Sequence, residues 1–231
     1  HFHQLDLEDV VSGSQIPKID IYKDYVFLVA QLPHWQGTKA TVSIQELSVF
    51  VGEHYLITIQ QNKSKEMKNF FYRCMRNKSV KKDWMSSTSG YLLYSLLEAL
   101  FKQMQPMLDT MGRGINALED SIFDGEQGFS IVTSLSSYRR NALTLRRVLD
   151  PQRYLISKLS NVRKTFLNEE TSLYFDNIHD YLDKLWAILN TYSDTIQGLH
   201  VTVESLMTHK TNTVIRSLTI ISVGLLPFTV L

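Results

Sequence analysis

The stretch that decides the fold runs from Asn168 to Leu206 and reads NEETSLYFDNIHDYLDKLWAILNTYSDTIQGLHVTVESL. Its apolar side chains return at alternating steps of four and three residues, which is the heptad pattern of a helix packed along one side. Asn168 is a candidate N-cap, and the two glutamates after it suit the start of a helix. The apolar repeat consists of Ile178, Leu182, Leu185, Leu189, Tyr192, Ile196, Leu199, Val203 and Leu206.

The same helix is predicted to continue far beyond the repeat. No proline interrupts the sequence from Asn168 until Pro227. At about 1.5 Å per residue the helix would reach about 95 Å, which exceeds one small domain. We therefore expect it to pack on copies of itself or on the preceding helices, and to point at a membrane.

The end of the chain is uncharged and apolar from Leu218 to Leu231. A membrane-spanning helix needs about 20 such residues, so this run is interpreted as the start of a spanning helix cut short. Lys210 and Arg216 precede it, and basic flanks mark the cytoplasmic side of spanning helices. The alternative is a buried terminal helix of a soluble protein. The opening, HFHQLDLEDVV, is also expected to be a truncation.

Two further helices are predicted before Asn168. The first is capped by Ser87 or Thr88 and continues to Gly125. The second starts near Ser130, and Pro151 should kink or interrupt it. The short turn between them indicates an antiparallel pair.

The first third of the chain carries strand signals. YVFLVAQL, at 25–32, is a continuous apolar run typical of a strand buried on both faces. ELSVFVGEHYLITIQ predicts two strands that meet at Gly52 and Glu53. A helix follows, with apolar positions at Met67, Phe70, Phe71, Cys74 and Met75.

These elements predict an α+β fold: a small α/β sandwich domain followed by long antiparallel helices and a very long stalk helix that enters the membrane. The expected units are an α/β domain at 1–83, a helical hairpin at 84–167, the stalk at 168–217, and the start of a first transmembrane helix at 218–231.

Composition and motifs narrow the function. The net charge of +1 gives no argument for bulk nucleic-acid binding. The single cysteine, Cys74, excludes an intramolecular disulfide and is expected to be buried and inert. No phosphate-binding loop, nucleophile elbow or zinc-finger spacing occurs, so neither an enzyme nor a bound cofactor is expected.

KTNTVIRSLTIISVGLLPFTVL, at 210–231, resembles the first membrane helix of CorA-type divalent-cation channels. IPKIDIYKDYVFLVAQLPHW, GYLLYSLLEAL, LRRVLDPQRYLISKL and NEETSLYFDNIHDYLDKL resemble that family in the same order. The resemblance implies a homopentamer in the inner membrane of a prokaryote, with this part mostly cytoplasmic. It implies passive passage of Mg²⁺, with Co²⁺ or Ni²⁺ tolerated. The family's Gly-Met-Asn signature and second membrane helix would lie beyond Leu231.

The resemblance also implies which residues line the pore. Asn212 would form a polar ring at the cytosolic mouth, and apolar rings would form gates by dewetting. The alternative is ordinary packing between membrane helices, where Ser and Thr are common. The stripe comprises Asn212, Ile215, Leu218, Thr219, Ser222, Leu226 and Thr229.

In the family, a regulatory ion is held between neighbouring subunits by two aspartates. The matching positions here are Asn177 and Gln36, which are amides and weaker ligands for a hard cation. Asp176 and Asp180 lie nearby as substitutes, or belong to a solvated helix face. An acidic cluster of Glu119, Asp120, Asp124 and Glu126 is expected at the tip of the helical hairpin and is either cation-gathering or simply solvated.

Two alternatives stay open at this point. A zinc transporter of the same superfamily, the ZntB branch, shares the architecture. A soluble helical scaffold that self-associates through the heptad repeat is the alternative of another class. On the channel interpretation, the repeat is expected to be covered only by assembly into a ring of five.

Overall fold

The structure, a computed structural model, describes residues 1–13, 16–36, 41–60, 64–124 and 129–229. It confirms the α+β class, with a four-stranded sheet followed by long helices. The elements are α1 Gln4–Ser12, β1 Lys18–Ile21, β2 Tyr25–Gln36, β3 Thr41–Gly52, β4 Tyr55–Ile59, α2 Lys65–Arg76, α3 Lys78–Met85, α4 Ser89–Phe101, α5 Met104–Phe123, α6 Phe129–Ser160 and α7 Glu169–Thr229.

The sheet is an antiparallel meander in the order β1-β2-β3-β4. Residues 25–30 of β2 are buried without a break, as predicted for a strand covered on both faces. Phe27 and Val29 face a small cluster with Phe2 and Val10 on one side. The alternate residues of β2, such as Leu28, belong to the main core, which they form together with residues of the later helices. The predicted hairpin is confirmed, since Gly52 of β3 pairs with Tyr55 of β4.

Helix α1 was not predicted from the sequence. His3 caps it, because its Nδ1 accepts a hydrogen bond from the backbone N–H of Leu5. Asp6 is buried and accepts hydrogen bonds from the hydroxyls of Tyr22 and Tyr25, at 2.9 and 2.7 Å. This polar anchor fixes α1 to the sheet, and no apolar periodicity signals it.

Helix α2 confirms the helix predicted after the strands, but only part of its expected apolar face. Met67, Phe70 and Cys74 are buried, whereas Phe71 and Met75 are 52% and 78% exposed. Burial raises the pKa of the Cys74 thiol, as expected for an inert cysteine. Helix α3 was not predicted.

The single helix predicted from residue 88 to 125 is wrong, because α4 ends at Phe101 and α5 begins at Met104. Pro106 explains the break. A proline has no N–H to donate four residues back, and its ring clashes with that carbonyl, here the carbonyl of Lys102. The predicted cap is correct, since the Thr88 hydroxyl accepts from the N–H of Tyr91 at 3.2 Å.

Pro151 does not interrupt α6, which continues from Phe129 to Ser160. One backbone hydrogen bond is lost at the proline. Buried residues on both sides of it, Leu149 and Leu155 among them, hold the two halves in one core.

Helix α7 has 61 residues and is about 92 Å long. Asn168 caps it as predicted, accepting from the N–H of Thr171 at 3.0 Å. The apolar repeat is buried or half-buried against α4, α5 and α6 of the same chain. The expectation that only other copies could cover this repeat is therefore wrong.

Candidate functional site

The part of α7 that projects beyond the domain is the candidate site. Among the side chains that the structure describes, Leu206 is the last that is half-buried, and every side chain from Met207 to Leu225 is exposed. Leu218, at 64% exposure, is typical. From Leu218 to Leu225 this surface is largely apolar, and in one chain it is bare, which indicates a surface that another molecule covers.

The charged side chains of this segment are all basic. After Glu204 the only charged residues of the chain are Lys210 and Arg216. Both are exposed. The segment thus offers no carboxylate to a cation, only neutral polar groups.

The structure places the predicted stripe as a face of α7, not as a closed site. Asn212, Ile215, Leu218, Thr219 and Ser222 are all exposed, at steps of three or one along the helix. The backbone of α7 includes the two remaining members, Leu226 and Thr229, but their side chains lie outside the described part.

The threonine hydroxyl of this stripe is oriented by its own helix. Thr219 Oγ1 donates to the carbonyl of Ile215 at 2.8 Å. Its proton is thereby used, and its remaining lone pairs are available as acceptors. Neutral oxygen acceptors suit the hydration shell of a hard cation such as Mg²⁺.

The four regulatory candidates are not brought together in one chain. Asp176, Asn177 and Asp180 are exposed near the start of α7, while Gln36 is exposed at the end of β2. Among the described residues, no group of three or more His, Cys, Asp or Glu side chains is arranged to hold a metal ion. The proposed role of these residues between subunits therefore stays a prediction.

The acidic cluster is only partly visible. Asp120 is exposed near the end of α5, Asp124 is exposed just after it, and Glu119 is half-buried. Glu126 lies outside the described residues.

Sequence reasoning overlooked two charged faces. The charged residues of α6 are basic except Asp150, and those of α7 as far as Leu206 are acidic except Lys184. The signal was present in the arginine pairs at 139–140 and 146–147, which repeat at a spacing of seven residues. It was missed because charge runs are usually solvated faces.

Within the ranges that the structure describes, no helix is both long enough and apolar enough to cross a membrane.

Comparison with protein families gives one match over the whole chain. The model described as "CorA-like Mg2+ transporter protein" matches residues 1–231.

Two curated proteins are similar over nearly all of this chain. The cobalt/magnesium transport protein CorA of Thermotoga maritima is 25% identical over 227 residues, which is 98% of this chain and 64% of the relative. The putative metal ion transporter YfjQ of Bacillus subtilis is 26% identical over 229 residues, covering 99% of this chain and 69% of the relative. The chain thus spans somewhat less than two thirds of the Thermotoga protein.

Solved structures share the fold. The full-length CmaX protein superposes with a TM-score of 0.83 at 16% identity, covering 99% of this chain and 68% of that one. The complete CorA magnesium transporter of Methanocaldococcus jannaschii gives 0.81 at 17% identity, with 96% and 68% covered. The ZntB cytoplasmic domain of Vibrio parahaemolyticus gives 0.73 at 11% identity, with 90% and 80% covered. At these identities the likeness concerns the fold alone.

Proposed function

The chain belongs to the CorA-like Mg²⁺ transporter family, and from this premise we propose that it supplies the cytosolic domain, the stalk and the first part of the pore helix of a homopentameric divalent-cation channel. The family is one of transporters, so an enzymatic role is not proposed. The intact protein would lie in the inner membrane of a prokaryote, with most of this part in the cytoplasm.

One observation carries the proposal. A single helix is packed into the domain as far as Leu206 and then continues, exposed on every side, through an apolar segment without acidic residues. The alternative function, a soluble helical scaffold that self-associates, required a heptad repeat that is uncovered in one chain. Because the chain itself covers that repeat, the observation that favoured the scaffold hypothesis no longer holds.

The stripe that begins at Asn212 provides a physical mechanism for ion passage, with Mg²⁺ as the transported ion. A ring of Asn212 amides at the mouth binds water of the hydration shell and releases it, where a ring of carboxylates would retain the ion. Ile215 and Leu218 then form an apolar constriction that conducts only when it widens or wets. An inside-negative potential drives entry with about 2.3 kcal/mol per charge per 100 mV.

Of the two basic residues, Lys210 lies away from this path. Lys210 is two residues before Asn212, so it points about 160° from it around the helix. A cation on that side repels no ion in the pore and suits anionic lipid headgroups at the cytoplasmic surface.

The proposal predicts that Leu218→Asn, and more strongly Leu218→Asp, raises divalent-ion leak. A polar ring keeps the constriction wet. Flux of Mg²⁺ into liposomes that contain the intact protein measures the effect, and an increase of about tenfold is expected for the removal of a barrier of about 1.4 kcal/mol.

Ser217→Ala is the matched control. Ser217 is adjacent in sequence but five residues from Asn212, about 140° around the helix, so flux should stay at the parental level. Pentameric Leu218 variants with parental flux would show that this ring is packing and not a gate.

The identity of the ion is a separate question. The ZntB cytoplasmic domain shares this fold, so the zinc transporter stays the competing assignment. Parallel uptake of Mg²⁺, Co²⁺, Ni²⁺ and Zn²⁺ by the intact protein decides between them, and we expect Mg²⁺ to be carried. Uptake of Zn²⁺ without Mg²⁺ would assign the protein to the zinc branch.

A further inference from the structure

The exposed faces of α6 and α7 carry charges of opposite sign at the same spacing. Arg140 and Lys158 are exposed on α6, and Asp176 and Asp194 are exposed on α7. Each pair is separated by 18 residues, which is five complete turns and about 27 Å. Each pair therefore lies on a line parallel to its helix. We call these two faces the basic stripe and the acidic stripe.

The two stripes stand at the same height. Helices α6 and α7 run antiparallel, with the Ser172 hydroxyl donating to the carbonyl of Ser160 at 2.7 Å and Arg153 paired with Asp183. Counting along the helices from these contacts places Lys158 level with Asp176, and Arg140 level with Asp194.

The stripes cannot neutralise each other within one chain. Lys158 is five residues after Arg153, about 140° around α6 from the side that contacts α7. Asp176 is seven residues before Asp183, about 20° around α7, so the acidic stripe follows the edge of α7 that adjoins α6, whereas the basic stripe points away from α7. Within the described ranges none of the four stripe charges forms an ion pair.

Each stripe also exposes a large apolar side chain among its charges. Tyr154 on α6 is 68% exposed and Leu173 on α7 is 70% exposed. An apolar group with a charged surround is the usual composition of a protein interface, in which charge complementarity fixes partner and register.

We infer that neighbouring copies of this chain associate laterally, with the basic stripe of one copy against the acidic stripe of the next. A rotation axis parallel to the helices keeps every residue at its own height, so Lys158 meets Asp176 and Arg140 meets Asp194. All projecting ends of α7 then point the same way. The inference rests on the proposed assembly and names the contact that holds it.

This contact also suits the amides at the family's regulatory positions. With Asn177 and Gln36 in place of carboxylates, adjacent domains have fewer negative charges to bridge by a metal. Direct pairing of Lys and Arg with Asp joins them without one.

Charge exchange tests the contact in the intact protein purified in detergent. The variants are Arg140→Glu with Lys158→Glu, Asp176→Lys with Asp194→Lys, and all four together. Each double variant should raise the dissociation constant between subunits at least about tenfold, and the fourfold variant should return it to near the parental value. Native mass and sedimentation give the assembled fraction, and circular dichroism shows that each variant is folded.

Lys81→Glu with Lys82→Glu on the exposed surface of α3 is the control for the basic-stripe double variant, since it makes the same charge change away from both stripes. It should leave assembly unchanged. Parental assembly should also weaken as salt rises from about 0.05 to about 0.5 M and should persist in EDTA.

Folded double variants that assemble like the parent, or a fourfold variant no better than the doubles, would overturn this contact while leaving the proposed channel intact. A parent that is monomeric at low salt would instead overturn the proposed assembly itself.

Discussion

At the scale of single residues, Gly90 shows how closely the helices approach. A Cβ at this position of α4 would lie 1.9 Å from the carbonyl oxygen of Phe166 and 2.9 Å from a methyl carbon of Leu167. The first neighbour is backbone, which cannot rotate away as a side chain can. Only glycine permits the segment before α7 to lie against α4.

Gly90→Ala is therefore expected to destabilise the protein by about 2 kcal/mol, the cost of overpacking a well-filled contact. The midpoint of urea unfolding should fall with an unchanged slope. Gly198→Ala is the matched control, because nothing lies within 4 Å of its added methyl group. Alanine there should stabilise α7 by about 1 kcal/mol. Equal effects at the two positions would contradict the close approach at Gly90.

At the scale of elements, the long apolar patterns predicted the structure well and the short polar ones did not. The heptad repeat and the Asn168 cap predicted α7, and the strand pattern predicted the sheet, because burial of a periodic apolar face dominates their stability. Helix α1 depends on the buried Asp6 and its two tyrosine partners, which are distant in sequence. No local pattern could show them.

The same limit applies to the candidate site. The stripe from Asn212 onward could be placed on one helical face from spacing alone. Its surroundings could not be predicted, because no other described element of the chain covers this face, whose described side chains are all exposed. Pro106 was a readable signal that was overlooked, since the lost hydrogen bond falls where α4 ends.

The packing of α6 on α7 includes a tryptophan between two arginines. The guanidinium carbons of Arg146 and Arg153 each lie 5.3 Å from the ring centre of Trp186, and Arg153 also pairs with Asp183. These contacts join the two helices at their exposed edge.

Trp186→Leu should cost about 1 to 2 kcal/mol, because an apolar side chain remains but both cation–π contacts are lost. A double-mutant cycle with Arg146→Gln should give a coupling of about 0.5 to 1 kcal/mol by urea unfolding. Arg139→Gln, one heptad earlier and without an aromatic partner among the described residues, should show no coupling with Trp186. Coupling of similar size at Arg139 would point to a general charge effect.

At the scale of the whole molecule, the domain and the projecting end lie at opposite ends of α7. Three of the four regulatory candidates, Asp176, Asn177 and Asp180, are near the start of that helix, and the predicted pore stripe is near its end.

Millimolar Mg²⁺ is expected to protect the domain from proteolysis only weakly, because Asn177 and Gln36 supply neutral ligands. Asn177→Asp should increase the protection, since a carboxylate binds a hard cation more strongly. The rate of trypsin cleavage with and without Mg²⁺ measures both. Strong protection of the parent that disappears in Asn177→Ala would show that the amide site works as it stands.

The exposed part of α7 is held at one end only, where the helix packs into the domain. From Leu206 to Thr229 it extends about 35 Å beyond its last half-buried residue. A stiff rod of that length converts a tilt of about 5° at its clamp into a displacement of about 3 Å at its tip. Several such rods around an axis would open or close an aperture by twice that amount. In the proposed assembly, the rigidity of the packed part of α7, built from the buried repeat and Trp186, would therefore set how far the aperture fluctuates.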